Sequence, residues 1–126
     1  MTVALQRRAR GKQAYLSGSV AEDRVVAQYA VLGVPVVARR WRGAGAEVDL
    51  ILRDGETLVF TEVKAARTHD QAIARLQQAQ MRRIYNAAEL YLANEPLGQL
   101  TEVRFDVALY DRHGTVQIVE NAFGHF

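Results

Sequence analysis

The strongest structural signal in this chain is AEVDLIL at residues 46–52, followed by Asp54-Gly55 and then by TLVFTEVK at residues 57–64. Both segments are rich in β-branched and aliphatic residues, and Asp-Gly suits the positive backbone angles of a two-residue turn. We therefore predict a β-hairpin with Asp54 and Gly55 as its loop. Apolar residues occupy both faces of these strands, which is typical of central strands that are covered on both sides.

The remaining segments predict helices and strands in the order αβββαββ. A capping box, S-x-x-E, begins at Ser19 and predicts a first helix over residues 19–32. A second one begins at Thr68 and predicts a long helix that reaches about residue 93. Alternating or continuous apolar segments predict further strands at residues 34–41, 103–110 and 116–119. The expected fold class is α/β, with a sheet of about five strands.

Length and composition limit the possible classes of protein. The chain has 126 residues, 49% of them hydrophobic, so we expect residues 1–18 to form a flexible basic arm and residues 19–126 a single domain. It contains no cysteine, which excludes disulfides and thiolate chemistry, and no apolar segment long enough for a membrane span. We therefore expect a cytoplasmic protein without membrane association. It lacks a P-loop and a dinucleotide-binding motif, so no nucleotide cofactor is expected.

Acidic residues and a lysine lie at the open end of the predicted hairpin. With the expected loop, counting back along both strands places Glu47 opposite Glu62. It also places Asp49 opposite Phe60. Because side chains alternate, one face is expected to carry Glu47, Asp49, Glu62 and Lys64. A divalent cation would offset the repulsion between these carboxylates and supply the Lewis acid for phosphodiester hydrolysis. The alternative is a solvated strand end, with Lys64 paired to Glu62 or Glu47.

Glu22 and Gln80 are two further polar residues in positions that demand an explanation. In a capping box the side chain of Glu22 would bond the helix N-terminus. Gln80 lies on the otherwise apolar face of the long helix, where a buried amide needs hydrogen-bond partners. Those partners are either a metal-bound water or phosphate, or nearby backbone. Arg82 and Arg83 flank this face and contact either phosphates or solvent.

Several segments together resemble the YraN family, also labelled UPF0102, over about residues 11–123. They are GSVAE at 18–22, AEVDLI at 46–51, FTEVK at 60–64, QMRRI at 80–84 and RFDV at 104–107. That family is similar to the PD-(D/E)xK nuclease superfamily, and especially to archaeal Holliday junction resolvases. The resemblance implies a restriction-endonuclease-like core with a central mixed sheet flanked by helices. It also implies a Mg²⁺- or Mn²⁺-dependent endonuclease acting on structured or branched DNA, with a homodimer as the expected assembly.

The resemblance implies roles for individual residues of this chain. Asp49 matches the metal-binding aspartate and Glu62 the second metal carboxylate. Lys64 matches the lysine that orients or activates the attacking water. Glu22 matches the acid of the first helix that often completes such a site, and the carbonyl of Val63 is a further expected metal ligand.

Two positions depart from the pattern of the family. Many relatives have a lysine where Gln80 stands, and their usual arginine is replaced by Ala66, with Arg67 one step further along. These departures favour an alternative function, a non-catalytic nucleic-acid-binding module that acts with a recombination or repair partner. Asp106 also matches a family position and is expected to make a structural hydrogen bond. The residues expected to contact nucleic acid are Gln80, Arg82, Arg83 and Arg67.

Overall fold

A five-stranded mixed sheet forms the centre of the computed structural model, which describes residues 19–124. Its strands are β1 (Val36–Gly43), β2 (Ala46–Asp54), β3 (Thr57–Ala65), β4 (Val103–Tyr110) and β5 (Val116–Phe123). They follow one another across the sheet in sequence order, and all neighbours are antiparallel except β3 and β4. The α/β fold class with a central mixed sheet is thus confirmed. The predicted basic arm, residues 1–18, lies outside the described residues.

Helices cover both faces of the sheet and bury its central strands. Helix α1, described over residues 19–31, packs Val25 and Tyr29 onto one face. Helices α2 (His69–Ala74) and α3 (Gln78–Tyr91) lie over the other face. There Ile84 of α3 belongs to a hydrophobic core cluster between α3 and the sheet. That cluster includes Ile51, Leu58, Phe60, Phe105 and Val107. No helix in the described part of the chain is long and apolar enough to cross a membrane.

The long helix predicted between residues 68 and 93 is wrong, because the chain breaks it into α2 and α3. The predicted start is confirmed, since the hydroxyl of Thr68 accepts a hydrogen bond from the Gln71 amide at 3.1 Å. After Ala74 the backbone hydrogen bonds change from the i→i−4 to the i→i−3 type. The Arg75 guanidinium donates to the carbonyl of Ala65 at 2.7 Å. This contact ties the break to the end of β3. No glycine or proline marks it, so apolar periodicity continues across it.

The turn between β2 and β3 comes one residue later than the sequence predicted. Gly55 and Glu56 form the loop, and Gly55 has a φ of 61°, which glycine adopts without a steric penalty. Ile51 pairs with Phe60, whereas the predicted register placed Asp49 there, so that register is wrong by two residues. A shift of two residues preserves the face on which each side chain lies wherever the strands alternate regularly, which in β2 holds from Leu50 to Asp54. Val48 lies on the opposite side from Leu50, so the predicted face is wrong for the start of β2.

Candidate functional site

Strand β1 changes face at Arg40. Residues two apart in a regular strand share a face. Arg39 nevertheless bonds Asp23 of α1 at 2.8 Å, while Trp41 packs edge-on against Tyr91 of α3. Arg40, between them, has a φ of 51°, in the left-handed region that costs a non-glycine residue about 1–3 kcal/mol. The strained backbone of Arg40 is therefore what directs its neighbours to opposite sides of the sheet.

Strand β2 also changes face, at Asp49, which is the residue opposite Arg40. The register of β1 and β2 places Asp49 opposite Arg40. On either side of Asp49, Val48 lies in the core under α3 and Leu50 in the core under α1. The pairing of β2 with β3 reaches Leu50 and goes no further within the described chain. Asp49 Oδ2 instead accepts a hydrogen bond from the Val63 amide at 2.8 Å, so this carboxylate lies where the two strands separate.

Glu62 of β3 is a buried carboxylate that has only part of its hydrogen bonds. Its exposed fraction is 5%. Its Oε1 accepts from Gln80 Nε2 at 2.9 Å and lies 3.4 Å from Lys64 Nζ. Its Oε2 is buried and accepts from no donor group among the residues that the structure describes, and its neighbour is the carboxyl group of Asp49. Such an oxygen is costly to bury, and it marks a place where a ligand would gain a good contact.

The two carboxyl groups are both hard to ionise where they lie. Burial raises the pKa of Glu62 to about 8, the charge of Asp49 adds to the rise, and Lys64 opposes it. Burial also raises the pKa of Asp49, although the hydrogen bond from Val63 opposes this. Neighbouring buried carboxyls cannot both carry a charge without a compensating proton or cation. Oxygen donors of this kind fit a hard divalent cation such as Mg²⁺.

Glu22 is bound by Arg40 and does not join the other carboxylates. Arg40 Nη2 and Nε lie 2.8 and 3.1 Å from Glu22 Oε2, and Nε also donates to Oε1 at 3.4 Å. Among residues 19–124 no three His, Cys, Asp or Glu side chains are grouped to hold a metal ion. Glu22 and Asp49 nevertheless border the same open cavity of about 190 Å³. A third carboxylate is therefore nearby but neutralised.

The structure distributes the other predicted residues between the site and its surroundings. Gln80 and Arg83 line a second cavity, of about 270 Å³, together with Asp49 and Glu62. Lys64 joins this group through its contact with Glu62. Glu47 lines both cavities while it pairs with Arg42 at 3.1 Å, and Val63 borders the first cavity. Arg67 and Arg82 are exposed and line neither cavity.

Sequence reasoning missed Arg40. Its signal in the sequence is the pair Arg39-Arg40 within an apolar strand, which breaks the expected alternation. Only the structure shows that one arginine turns to Glu22. The expected structural role of Asp106 is confirmed, since this fully buried carboxylate accepts hydrogen bonds from Tyr29 and from its neighbours on the sheet.

A model of a known protein family matches most of this chain. The model of the family described as "Uncharacterised protein family UPF0102" matches residues 21–109, which include the site. The chain belongs to this family. A UPF0102 protein of Ruegeria sp. (strain TM1040) is 51% identical over 94% of this chain and 95% of its own length. UPF0102 proteins of Cereibacter sphaeroides (strain ATCC 17025) and Dinoroseobacter shibae are 54% and 43% identical, over 90% and 96% of this chain and 97% and 98% of their own.

Proposed function

We propose that this UPF0102 protein is a Mg²⁺- or Mn²⁺-dependent endonuclease that hydrolyses phosphodiester bonds of structured or branched DNA. The observation that carries the proposal is the Asp49–Glu62 pair on adjacent strands. One oxygen of Glu62 is buried without a donor group among residues 19–124, and Lys64 Nζ lies 3.4 Å from the other oxygen. Asp49, Glu62 and the carbonyl of Val63 would hold the cation, which would supply Lewis acidity to the phosphodiester.

The residues around the pair suit the remaining tasks of such a site. Gln80 fixes the orientation of Glu62 by its hydrogen bond at 2.9 Å. Lys64 brings a positive charge to the same oxygen and would orient the attacking water. Arg83 lines the cavity and offers a contact to a phosphate, with Arg82 and Arg67 exposed further out. Contacts of this kind favour polyanions without reading bases, so binding should weaken steeply with salt.

Direct cleavage assays test the proposal. Purified protein is incubated with labelled Holliday junction, flap, single-stranded and duplex DNA in Mg²⁺ and in Mn²⁺. The variant Asp49→Ala, Glu62→Ala should not cleave, whereas Glu56→Gln, an exposed change in the turn of the same hairpin, should cleave as the wild type does. Cleavage that survives in the double variant, or no cleavage of any substrate, would overturn the proposal. A homodimer, which two cuts in a junction would require, is checked by sedimentation of the same samples.

Lys64 allows a sharper test of the chemical step. Lys64→Ala should abolish detectable cleavage while Mn²⁺ binding remains largely intact, because the lysine acts on the attacking water. Positioned proton-transfer groups contribute rate factors of about 10²–10⁴. Single-turnover cleavage and Mn²⁺ titration are measured on the same preparation. Unchanged cleavage in this variant would remove Lys64 from the mechanism.

The second candidate is a non-catalytic nucleic-acid-binding module that keeps the nuclease-like core. It is favoured by the Glu22–Arg40 pair, which occupies a carboxylate that borders the same cavity as Asp49. Gln80, where the family pattern has lysine, favours it as well. Thermal unfolding in a titration of Mg²⁺ and Mn²⁺ separates the two functions. A rise in the unfolding temperature with added cation, absent in Asp49→Ala, supports the enzyme. No rise, together with retained binding of junction DNA, supports the module.

A further inference from the structure

We propose that Arg40 sets the number of carboxylates that this site offers to a divalent cation. In the structure its guanidinium holds Glu22 in a closed ion pair; opening the pair would release a third carboxylate beside Asp49 and Glu62. Arg40 is thus a positioning residue that regulates metal affinity. The inference rests on the proposed metal site and concerns its regulation.

The two partners of the closed pair differ in how deeply they are buried. Two guanidinium nitrogens contact Glu22 Oε2, at 2.8 and 3.1 Å, and Nη2 also donates to the Ser19 hydroxyl at 3.3 Å. The side chain of Glu22 is 7% exposed, whereas that of Arg40 is 37% exposed. Glu22 is therefore the partner held in the protein interior, and Arg40 is the partner nearer to solvent. A buried carboxylate without its cation needs another partner, and a divalent ion is one.

The place of Arg40 in the sheet connects the pair to the Asp49–Glu62 pair. Arg40 lies opposite Asp49 in the β1–β2 ladder, and both border the cavity that Glu22 also lines. The backbone of Arg40 has a φ of 51°, and this strained conformation accompanies the change of face of the strand. Backbone strain of this kind concentrates at functional sites and switch regions. The strained backbone and the ion pair thus coincide at the residue that lies opposite a candidate metal ligand.

Mn²⁺ binding, measured by calorimetry without DNA, tests the inference. Wild type, Arg40→Gln, Glu22→Gln and the double variant form a cycle, with Asp49→Asn as the reference for the site. Arg40→Gln should bind Mn²⁺ at least about tenfold more tightly than wild type, which is about 1.4 kcal/mol. The gain should disappear in the double variant, because no Glu22 carboxylate is then released.

Arg39→Gln is the matched control for the loss of a positive charge. Arg39 neighbours Arg40 on the same strand, lies 4.0 Å from Glu22, and bonds mainly to Asp23 at 2.8 Å. The substitution Arg39→Gln leaves the Arg40–Glu22 pair intact, so Mn²⁺ affinity should change by less than about twofold. A gain in Arg39→Gln as large as in Arg40→Gln, or one that persists in the double variant, would mean that general charge acts alone and would overturn the inference.

The remaining outcomes separate this inference from the proposed function. Equal affinities of wild type and Arg40→Gln, with binding lost in Asp49→Asn, would overturn the role of Arg40 and leave the metal site standing. No Mn²⁺ binding by any variant would overturn both. Folding is checked by circular dichroism, and if Arg40→Gln does not fold, Arg40→Met replaces it. Methionine keeps an apolar stem at this position but cannot donate to Glu22, so affinity should rise, and unchanged affinity would overturn the inference.

Discussion

Two buried carboxylates lie one residue apart along the ladder of β3 and β4, and their surroundings differ. Asp106 pairs with Thr61, and the next residue of β3 is Glu62. Asp106 accepts from the Tyr29 hydroxyl at 2.8 Å, from Arg104 Nε at 2.9 Å and from the Asn121 amide at 2.9 Å. Glu62 has donors on one oxygen and none among residues 19–124 on the other.

The difference separates a carboxylate that stabilises the fold from one that is available to a ligand. Arg104 neutralises Asp106 within the protein, and Asp106 and Asp54 both raise the pKa of that guanidinium. Within residues 19–124 nothing comparable neutralises Glu62, because burial raises its pKa to about 8 despite Lys64. A polar group that the fold leaves incompletely bonded is a stability cost, and such costs occur at functional sites.

The largest effect is expected from removing the fully bonded carboxylate. Asp106→Ala should lower the free energy of unfolding by about 3–5 kcal/mol, because Arg104 and Tyr29 lose a buried partner. Urea unfolding at constant pH measures it. Asp23→Ala is the control, since that carboxylate is 66% exposed in its pair with Arg39 and should cost no more than about 1 kcal/mol. Equal effects of the two variants would remove Asp106 from the stabilising network.

Glu62 should instead show its effect in the pH dependence of stability. Its pKa is about 8 in the folded chain and 4.5 ordinarily, so between these values the folded state holds a proton that the unfolded state releases. Stability should therefore fall as pH rises through this range, by at most about 1.4 kcal/mol per pH unit from this group. The raised pKa of Asp49 acts in the same direction. Glu62→Gln should flatten the dependence.

Urea unfolding across this pH range, on wild type, Glu62→Gln and Glu56→Gln, provides the measurement. Glu56 is exposed in the turn of the same hairpin, so its replacement should leave the pH dependence as in the wild type. The difference between the two variants isolates the buried carboxyl from all other titrating groups. Parallel curves for all three proteins would show that Glu62 is ionised normally, and the contrast with Asp106 would then be lost.

The sequence predicted the strands that carry the two carboxylates better than it predicted the contacts of these carboxylates. Alternation and turn residues are local, so the strands that carry Glu62 and Asp106 were found, and the class of fold followed. The hairpin register failed because Gly55 accepts positive φ at either loop position and the sequence does not state which one it takes. The position of Arg40 was hidden because a change of face within a strand arises from backbone strain and tertiary contacts. The missing partner of Glu62 depends on residues far apart in the chain.

The smallest expected effect comes from giving Glu62 a cation closer to what Asp106 has in Arg104. Gln80→Lys replaces an amide that donates to Glu62 Oε1 at 2.9 Å with an ammonium, and an opposite charge nearby favours the ionised carboxylate. The pKa of Glu62 should fall below its present value of about 8, and helix α3 should remain intact because glutamine and lysine have similar helix propensities. NMR titration of ¹³C-labelled glutamate measures the pKa of Glu62, and Gln78→Lys, an exposed change at the start of α3, is the control.

If the midpoint of the Glu62 titration stays the same in both variants, Gln80 does not tune Glu62. If it falls only in Gln80→Lys, the residue at position 80 controls the charge of this carboxylate.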